Sequence, residues 1–201
     1  LRLVHIDDVV TEIMRTLQDK STGLSRPHVE PEYSITIGEL ASQIEKFKNC
    51  RSSLISERVG TGLTRALYST YTSYFLPDKF SYLIPEYEDD RGVFVEMLKT
   101  TDCGQFSYFT VLPGMTRGSH YHHAKTEKFL VIKGSACFRY RNIVTQEDYE
   151  LFTSGEEPRV VETIPGWAHN ISNVGHSEMI VMLWANEIYD SKCPDTITCE
   201  V

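Results

Sequence analysis

No apolar run in the 201 residues approaches the roughly eighteen needed to cross a bilayer as a helix, and no stretch has the pattern of a signal peptide. A concentrated basic patch is also lacking. Net charge is −8, with Lys and Arg interspersed among Asp and Glu along the chain. A phosphate-backbone binder needs such a patch, so nucleic acid is not an expected partner. No C-x-x-C pair occurs. Cys50, Cys103, Cys137, Cys193 and Cys199 form an odd, scattered set that reads as reduced thiols in a cytoplasmic protein, with a Cys193–Cys199 disulfide left open. Internal repeats and low-complexity stretches are absent as well.

What is present is the balance of an ordinary globular protein. Hydrophobic residues make up 41% and charged residues 24%, and eleven Tyr and nine Phe supply large apolar bodies. Two periodicities divide the chain. Residues 1–80 read as helical. Asp7 or Asp8 can cap a helix in which Val9, Val10, Ile13, Met14 and Leu17 recur at helical spacing. Thr36 and Glu39 form a capping-box pattern ahead of Leu40, Ile44 and Phe47, and a third helix is expected over Leu63 to Tyr74. From residue 81 to 201 the pattern changes to short strands. Gly92–Leu98, Phe106–Leu112, Lys128–Ile132, Ala136–Ile143 and Met179–Trp184 are strand candidates, punctuated by Pro113-Gly114, Lys133-Gly134, Ser154-Gly155 and Pro165-Gly166. Short strands at this spacing predict a sandwich or barrel.

The chemistry concentrates between Gly114 and Gly134. His120 and His122 stand two apart, so on a strand both rings project to one face, and Glu127 can return to that face from the next strand. Imidazole nitrogens with a carboxylate suit zinc, iron, nickel or manganese. A fourth ligand is available from Pro165-Gly-Trp-Ala-His169-Asn-Ile-Ser-Asn173, placed on a turn leading into another strand pair. Paired histidines on a strand can equally be surface residues, as His123 beside them illustrates. It is the joint occurrence of two glycines, two histidines, the glutamate and the distant Gly-x-x-His-x3-Asn that favours a metal site.

These spacings match the first cupin motif from Gly114 to Gly134 and the second at Gly166, His169 and Asn173. Upstream of Pro165 the second motif departs, since Gly155 lies farther away than usual, which predicts a longer loop. A closer resemblance follows. Asp89-Asp-Arg91-Gly92-Val-Phe-Val-Glu96 looks like the D-x-R-G-x-x-x-E opening of deoxysugar epimerases acting on dTDP-4-keto sugars. Gly118 to Gly134, Trp184-Ala-Asn-Glu187 and Pro194-Asp-Thr196 resemble the C-terminal cupin of bifunctional reductase/3-epimerases, which make UDP-linked N-acetylated 6-deoxysugars for capsule or O-antigen. Val4-His-Ile-Asp-Asp-Val-Val10, Ile35-Thr-Ile-Gly-Glu-Leu40 and Leu67-Tyr-Ser-Thr-Tyr71 are similar to the late part of the extended short-chain dehydrogenase domain of the same enzymes.

The resemblance implies a mainly β fold, a cupin β-barrel of the RmlC-like jelly-roll kind, preceded by a small helical remnant of the reductase. It implies one divalent metal, zinc ahead of nickel, iron or manganese, held by His120, His122, Glu127 and His169. The implied activity is epimerisation at C3 of a UDP-2-acetamido-2,6-dideoxy-4-hexulose, normally coupled to NADPH reduction at C4. The chain opens at Leu1 without Met and has no Gly-x-x-Gly-x-x-Gly, while its one Tyr-x-x-x-Lys, Tyr121 to Lys125, lies inside the first cupin motif, so NADP is expected only in a longer polypeptide. Lys125, Tyr108 and His123 are candidate proton carriers, although strand alternation turns His123 away from the metal face. Arg91 and Arg117 are candidates for the nucleotide diphosphate, with pairing of Arg91 to Asp89 or Asp90 the equal alternative. Trp167 could wall the pocket or belong to the core. A homodimer is implied by the resemblance. Two other readings stay open: a non-catalytic cupin with a structural metal serving dimerisation or sugar binding, and a different metal-dependent cupin enzyme.

Overall fold

The structure is a computed structural model describing residues 1–201, the side chain of Asp78 excepted. Two compact units emerge. One comprises Leu1–Arg51 and Glu57–Ser81, the other Ser52–Ser56 and Tyr82–Val201.

In the first unit, β1 (Arg2–Leu3) pairs with β2 (Tyr33–Ser34) beside three helices, α1 (Ile6–Gln18), α2 (Ile37–Ser53) and α3 (Gly62–Ser73). The expected capping box opens α2: Glu39 N–H donates to Thr36 Oγ1 at 3.1 Å, and Thr36 N–H donates to Glu39 Oε2 at 2.9 Å. The start of α1 differs from expectation. His5 is its N-cap, its Nδ1 accepting from Asp7 N–H at 3.4 Å, and Asp7 and Asp8 fall in the first turn, where carboxylates complement the helix dipole. Phe47 is the buried residue of α2, edge-on to Tyr68 of α3 with centroids 5.1 Å apart.

The second unit is built of strands. In chain order they are β3 (Ile55–Ser56), β4 (Tyr87–Asp89), β5 (Gly92–Thr100), β6 (Gly104–Val111), β7 (Thr116–Tyr121), β8 (Glu127–Lys133), β9 (Ser135–Asn142), β10 (Asp148–Ser154), β11 (Val160–Glu162), β12 (Trp167–Asn173), β13 (Met179–Ala185) and β14 (Ile197–Thr198). One sheet has the order β10-β9-β12-β7-β14, and the other β11-β8-β13-β6-β5-β3 with β4 paired to β5. All pairings are antiparallel except β3 with β5. This is a mainly β jelly-roll. Alternation builds its interior: on β13, Met179, Val181, Leu183 and Ala185 are buried while the residues between them are half-exposed. The first three join Phe109, Val111, Phe129, Val131, Phe138 and Ile171 in one core cluster.

Several strands exceed what periodicity suggested. β7, β10 and β12 come from polar-rich stretches, and His169 lies within β12 instead of on a turn. The stretch expected as a longer loop before Pro165 contains β11, which pairs with β8 at Leu130, Phe129 and Lys128. Asn173, the last position of the second motif, holds the β12–β13 turn: its Nδ2 donates to Val111 O at 2.7 Å and Ser177 O at 2.8 Å, while its Oδ1 accepts from Gly175 N–H at 2.9 Å.

Candidate metal centre

β7 carries His120, and a bulge aims it. His169 of β12 faces His120, but Asn170 faces Gly118, so Ser119 is an extra residue in β7. Ser119 sits in the left-handed region at φ +62°, next to Gly118 at φ +101°. A side chain at 118 would place its Cβ 3.0 Å from both Asn170 Cα and the His169 carbonyl oxygen, so glycine lets the two strands approach there. β7 ends at Tyr121, and His122 is the first residue beyond it. Glu127 opens β8, fixed by its N–H donating to Thr163 Oγ1 at 2.9 Å, while Thr163 N–H donates to the Glu127 carbonyl at 3.0 Å.

The four residues meet. One donor atom from each of His120, His122, Glu127 and His169 lies within 4.8 Å of all the others, and the last three are buried. The His120 ring is tilted against His122 at 4.9 Å and edge-on to His169 at 4.7 Å between centroids. Glu127 Oε2 is 3.3 Å from His122 Nε2 and 3.5 Å from His169 Nε2. Its other oxygen, Oε1, pairs with Lys125 Nζ at 2.8 Å, and Lys125 is itself only 8% exposed. Burial works against ionising Glu127, yet the hydrogen bond with His122, the close approach of His169 and the nearby Lys125 hold its carboxyl far below the usual range. Burial, assisted by His169, lowers His120 to about 4. It therefore stands neutral near pH 7, with a lone pair to offer.

The arrangement fits a divalent ion. His169 Nε2 is buried without a hydrogen-bond partner, which costs free energy unless something coordinates it. Donors bonded tetrahedrally to one metal at about 2.0–2.2 Å stand roughly 3.3–3.6 Å apart. The widest spacing here is 4.8 Å, so side-chain movements of about an ångström bring the four onto one ion. Three neutral imidazoles and a carboxylate are suitable ligands for several first-row divalent metals.

A cavity of about 240 Å³ opens onto His120, Glu127 and His169. Phe94, Phe109, Phe129 and Phe138 wall it, and Arg91 and Arg117 line it as well. Asp89 bridges the two guanidinium groups: Arg91 Nη2 donates to Oδ2 at 2.6 Å and Arg117 Nη2 donates to Oδ1 at 3.2 Å. Hydrogen bonding from Arg91 holds the Asp89 carboxyl at about 2. Arg91 is thus paired with Asp89, the second of its two expected roles, and also lines the cavity.

The remaining candidates divide. Lys125 is brought to the cluster. Tyr108 is not: Phe109, its neighbour on β6, lines the cavity, and the pleat turns Tyr108 to the opposite face. His123 is exposed, its ring 5.4 Å from that of Tyr121, outside the cavity lining. Trp167 lines a second, apolar cavity with Tyr140, Tyr149, Leu151 and Ile164, and packs against the core; it does not wall the metal-side cavity.

Sequence reading passed over Asp195. Its carbonyl oxygen accepts a hydrogen bond from His122 Nδ1. Its carboxylate accepts from the backbone N–H groups of His123, Ala124 and Lys125 at 2.9, 2.7 and 2.8 Å, which hold it at about 2. The only sequence signal was the resemblance of Pro194-Asp-Thr196, which carried no role.

Comparison with known proteins places this geometry. The chain is 57% identical, over its whole length, to 54% of a Pseudomonas aeruginosa protein named UDP-2-acetamido-2,6-β-L-arabino-hexul-4-ose reductase. It superposes with a TM-score of 0.92 on the capsular polysaccharide assembling protein CapF of Staphylococcus aureus, at 39% identity, covering all of this chain and 55% of that one. A CapF structure with the inhibitor 3-isopropenyl-tropolone gives a TM-score of 0.93, also at 39% identity, with 58% of that chain covered. The chain thus spans about half the length of this Pseudomonas aeruginosa relative. Residues 87–197 match the model of the polysaccharide biosynthesis C-terminal domain. The chain belongs to that family, and its β unit is a cupin-type jelly-roll.

Proposed function

We propose that this chain is the metal-holding cupin portion of a sugar-nucleotide enzyme of capsule synthesis, epimerising C3 of a UDP-2-acetamido-2,6-dideoxy-4-hexulose. The observation that carries the reading is the convergence of His120, His122, Glu127 and His169, with His169 Nε2 unpartnered, beside a cavity lined by two guanidinium groups. The names of the relatives support the substrate class: one is a reductase of such a 4-hexulose, and the other assembles capsular polysaccharide.

The chemistry suits the site. C3 of a 4-hexulose adjoins the ketone, so its C–H bond can break heterolytically, with the electron pair shared onto the ketone oxygen. Return of a proton to the opposite face inverts C3 with no net redox change. A divalent metal bound at the four residues, zinc first among those suited, supplies Lewis acidity toward that oxygen. Arg91 and Arg117 bind the diphosphate, which competes with Asp89 for them. The phenylalanine walls keep water away and strengthen the electrostatic interactions inside. Of the three candidate proton carriers only Lys125 is held at the cluster. Its Nζ pairs with Glu127 Oε1 at 2.8 Å, which places it to pass a proton at the cluster. Reduction at C4 with NADPH belongs to the part of the longer relatives outside this chain. A homodimer in the cytoplasm completes the reading, and among the described residues all five cysteines are free.

Proton NMR of the UDP-hexulose in D2O tests it. Deuterium is expected at C3 with the metal-loaded chain, and not after chelation or in His122→Ala. A folded, metal-loaded chain that exchanges nothing would favour a structural metal and overturn the epimerase reading.

A further inference from the structure

The run from His122 to Thr126, which links the ligand-bearing strands β7 and β8, lacks the ladder that its neighbours have. β7 ends at Tyr121 and β8 begins at Glu127, so the amides between them have no strand ladder to satisfy them. Ser119, just before His120, is held in the left-handed region, a conformation that persists only where its surroundings enforce it. Backbone donors in such a segment need partners elsewhere.

They find them near the C-terminus. Asp195 Oδ1 accepts from His123 N–H, and Oδ2 from Ala124 and Lys125 N–H. Asn186 Oδ1 takes the next amide, that of Thr126, at 3.0 Å. β14 pairs with β7 at Tyr121 and His120, and Cys199 N–H donates to the carbonyl of Ser119 at 2.9 Å. The segment Asp195–Cys199 thus grips the ligand run at both ends. The Asp195 carbonyl also meets His122 Nδ1. A carbonyl only accepts, so Nδ1 donates to it, and Nε2 is the ring nitrogen turned toward Glu127 and the cluster.

We infer that Asp195 is a positioning residue for metal binding: its carboxylate folds the His122–Lys125 loop, and its carbonyl fixes the His122 tautomer that presents Nε2 to the ion. The inference rests on the metal reading above. It is separable from folding, because no residue beyond Ala185 is among the buried core.

The test measures Zn²⁺ affinity by competition with a chromophoric chelator in the full chain, and the His122 tautomer by ¹⁵N-detected imidazole NMR of the metal-free protein. Asp195→Ala is expected to weaken Zn²⁺ binding by about 10–100-fold and to mix the Nδ1–H and Nε2–H forms of His122. Asp195→Asn, which keeps one acceptor, is expected to fall between it and the unsubstituted chain. Should Asp195→Ala not fold, Asp195→Asn carries the test. Affinity within about threefold of the unsubstituted chain, or an unaltered His122 tautomer, overturns the inference. If the unsubstituted chain binds no Zn²⁺, the metal reading has failed, and the tautomer readout still decides whether Asp195 positions His122.

Discussion

Helix α1 runs for 13 residues and buries none of them, while β13 runs for 7 and buries four. The contrast extends to the two units. In the helical one, Ile6, Val10, Ile13, Met14 and Leu17 form an apolar stripe that is at least half exposed at each position. Phe47, at 2%, is the buried apolar residue of its helices. In the β unit, side chains from both sheets interlock into one core, and the metal candidates stand at one end of it, with Phe129 and Phe138 serving both core and cavity. Helical periodicity organises a face, but a face stabilises a fold only when something covers it. The chemistry sits on the unit that makes its own interior, where four donors can be held within ångströms of one another.

The largest predicted effect tests that asymmetry directly. Phe138→Ala should destabilise the β unit by about 3–5 kcal/mol, read as a shift in denaturant midpoint, because Phe138 is 1% exposed among close-packed neighbours. Next comes metal linkage. Zn²⁺ free at a hundred times its dissociation constant should stabilise the unit that binds it by about 2.7 kcal/mol. That increment should vanish in His169→Ala and leave the far-ultraviolet signal of helix melting unmoved. If the helices gained equally, the comparison would break.

Acidity sharpens it further. His120 falls from its ordinary 6.5 to about 4 in the folded chain. Its contribution is therefore present above pH 6.5 and lost as pH drops from there toward 4. Asp89 and Asp195 fall from 3.8 to about 2, so theirs is present above 3.8 and lost below it. Thermal melts across pH 7 to 2 should show two successive losses in the β unit, and Asp195→Asn should diminish the lower one. A single loss centred below pH 3.8 would contradict the His120 assignment. The smallest effect belongs to α1. Ile13→Ser should change the stability of this chain by no more than about 0.5 kcal/mol, and a loss of several would mean that its stripe is covered after all.

Much of this was legible because the signals were local. His120, His122 and Glu127 lie within eight residues, His169 carries its own motif, and the Thr36–Glu39 box needs only three residues to recognise itself. What stayed hidden depended on distance along the chain. Asp195 lies seventy residues beyond the loop it holds, and nothing in Pro194-Asp-Thr196 announces three backbone donors. β11 is a strand because β8 offers it an edge, not because Val160-Val-Glu162 alternates over any useful length. Trp167 stands two residues from His169, yet it lines a different cavity. Tyr108 fails by parity, one residue from a wall of the cavity. Proximity in sequence is thus a fair guide to which residues share a strand and a poor one to which face they reach.

Whether the four residues hold an ion is asked most directly by metal titration of the full chain, followed by isothermal calorimetry. One equivalent of Zn²⁺ per chain is expected, abolished by His169→Ala and by Glu127→Gln in proteins that remain folded. A folded chain that takes up no divalent metal, or takes it up equally without His169 and Glu127, would contradict the account.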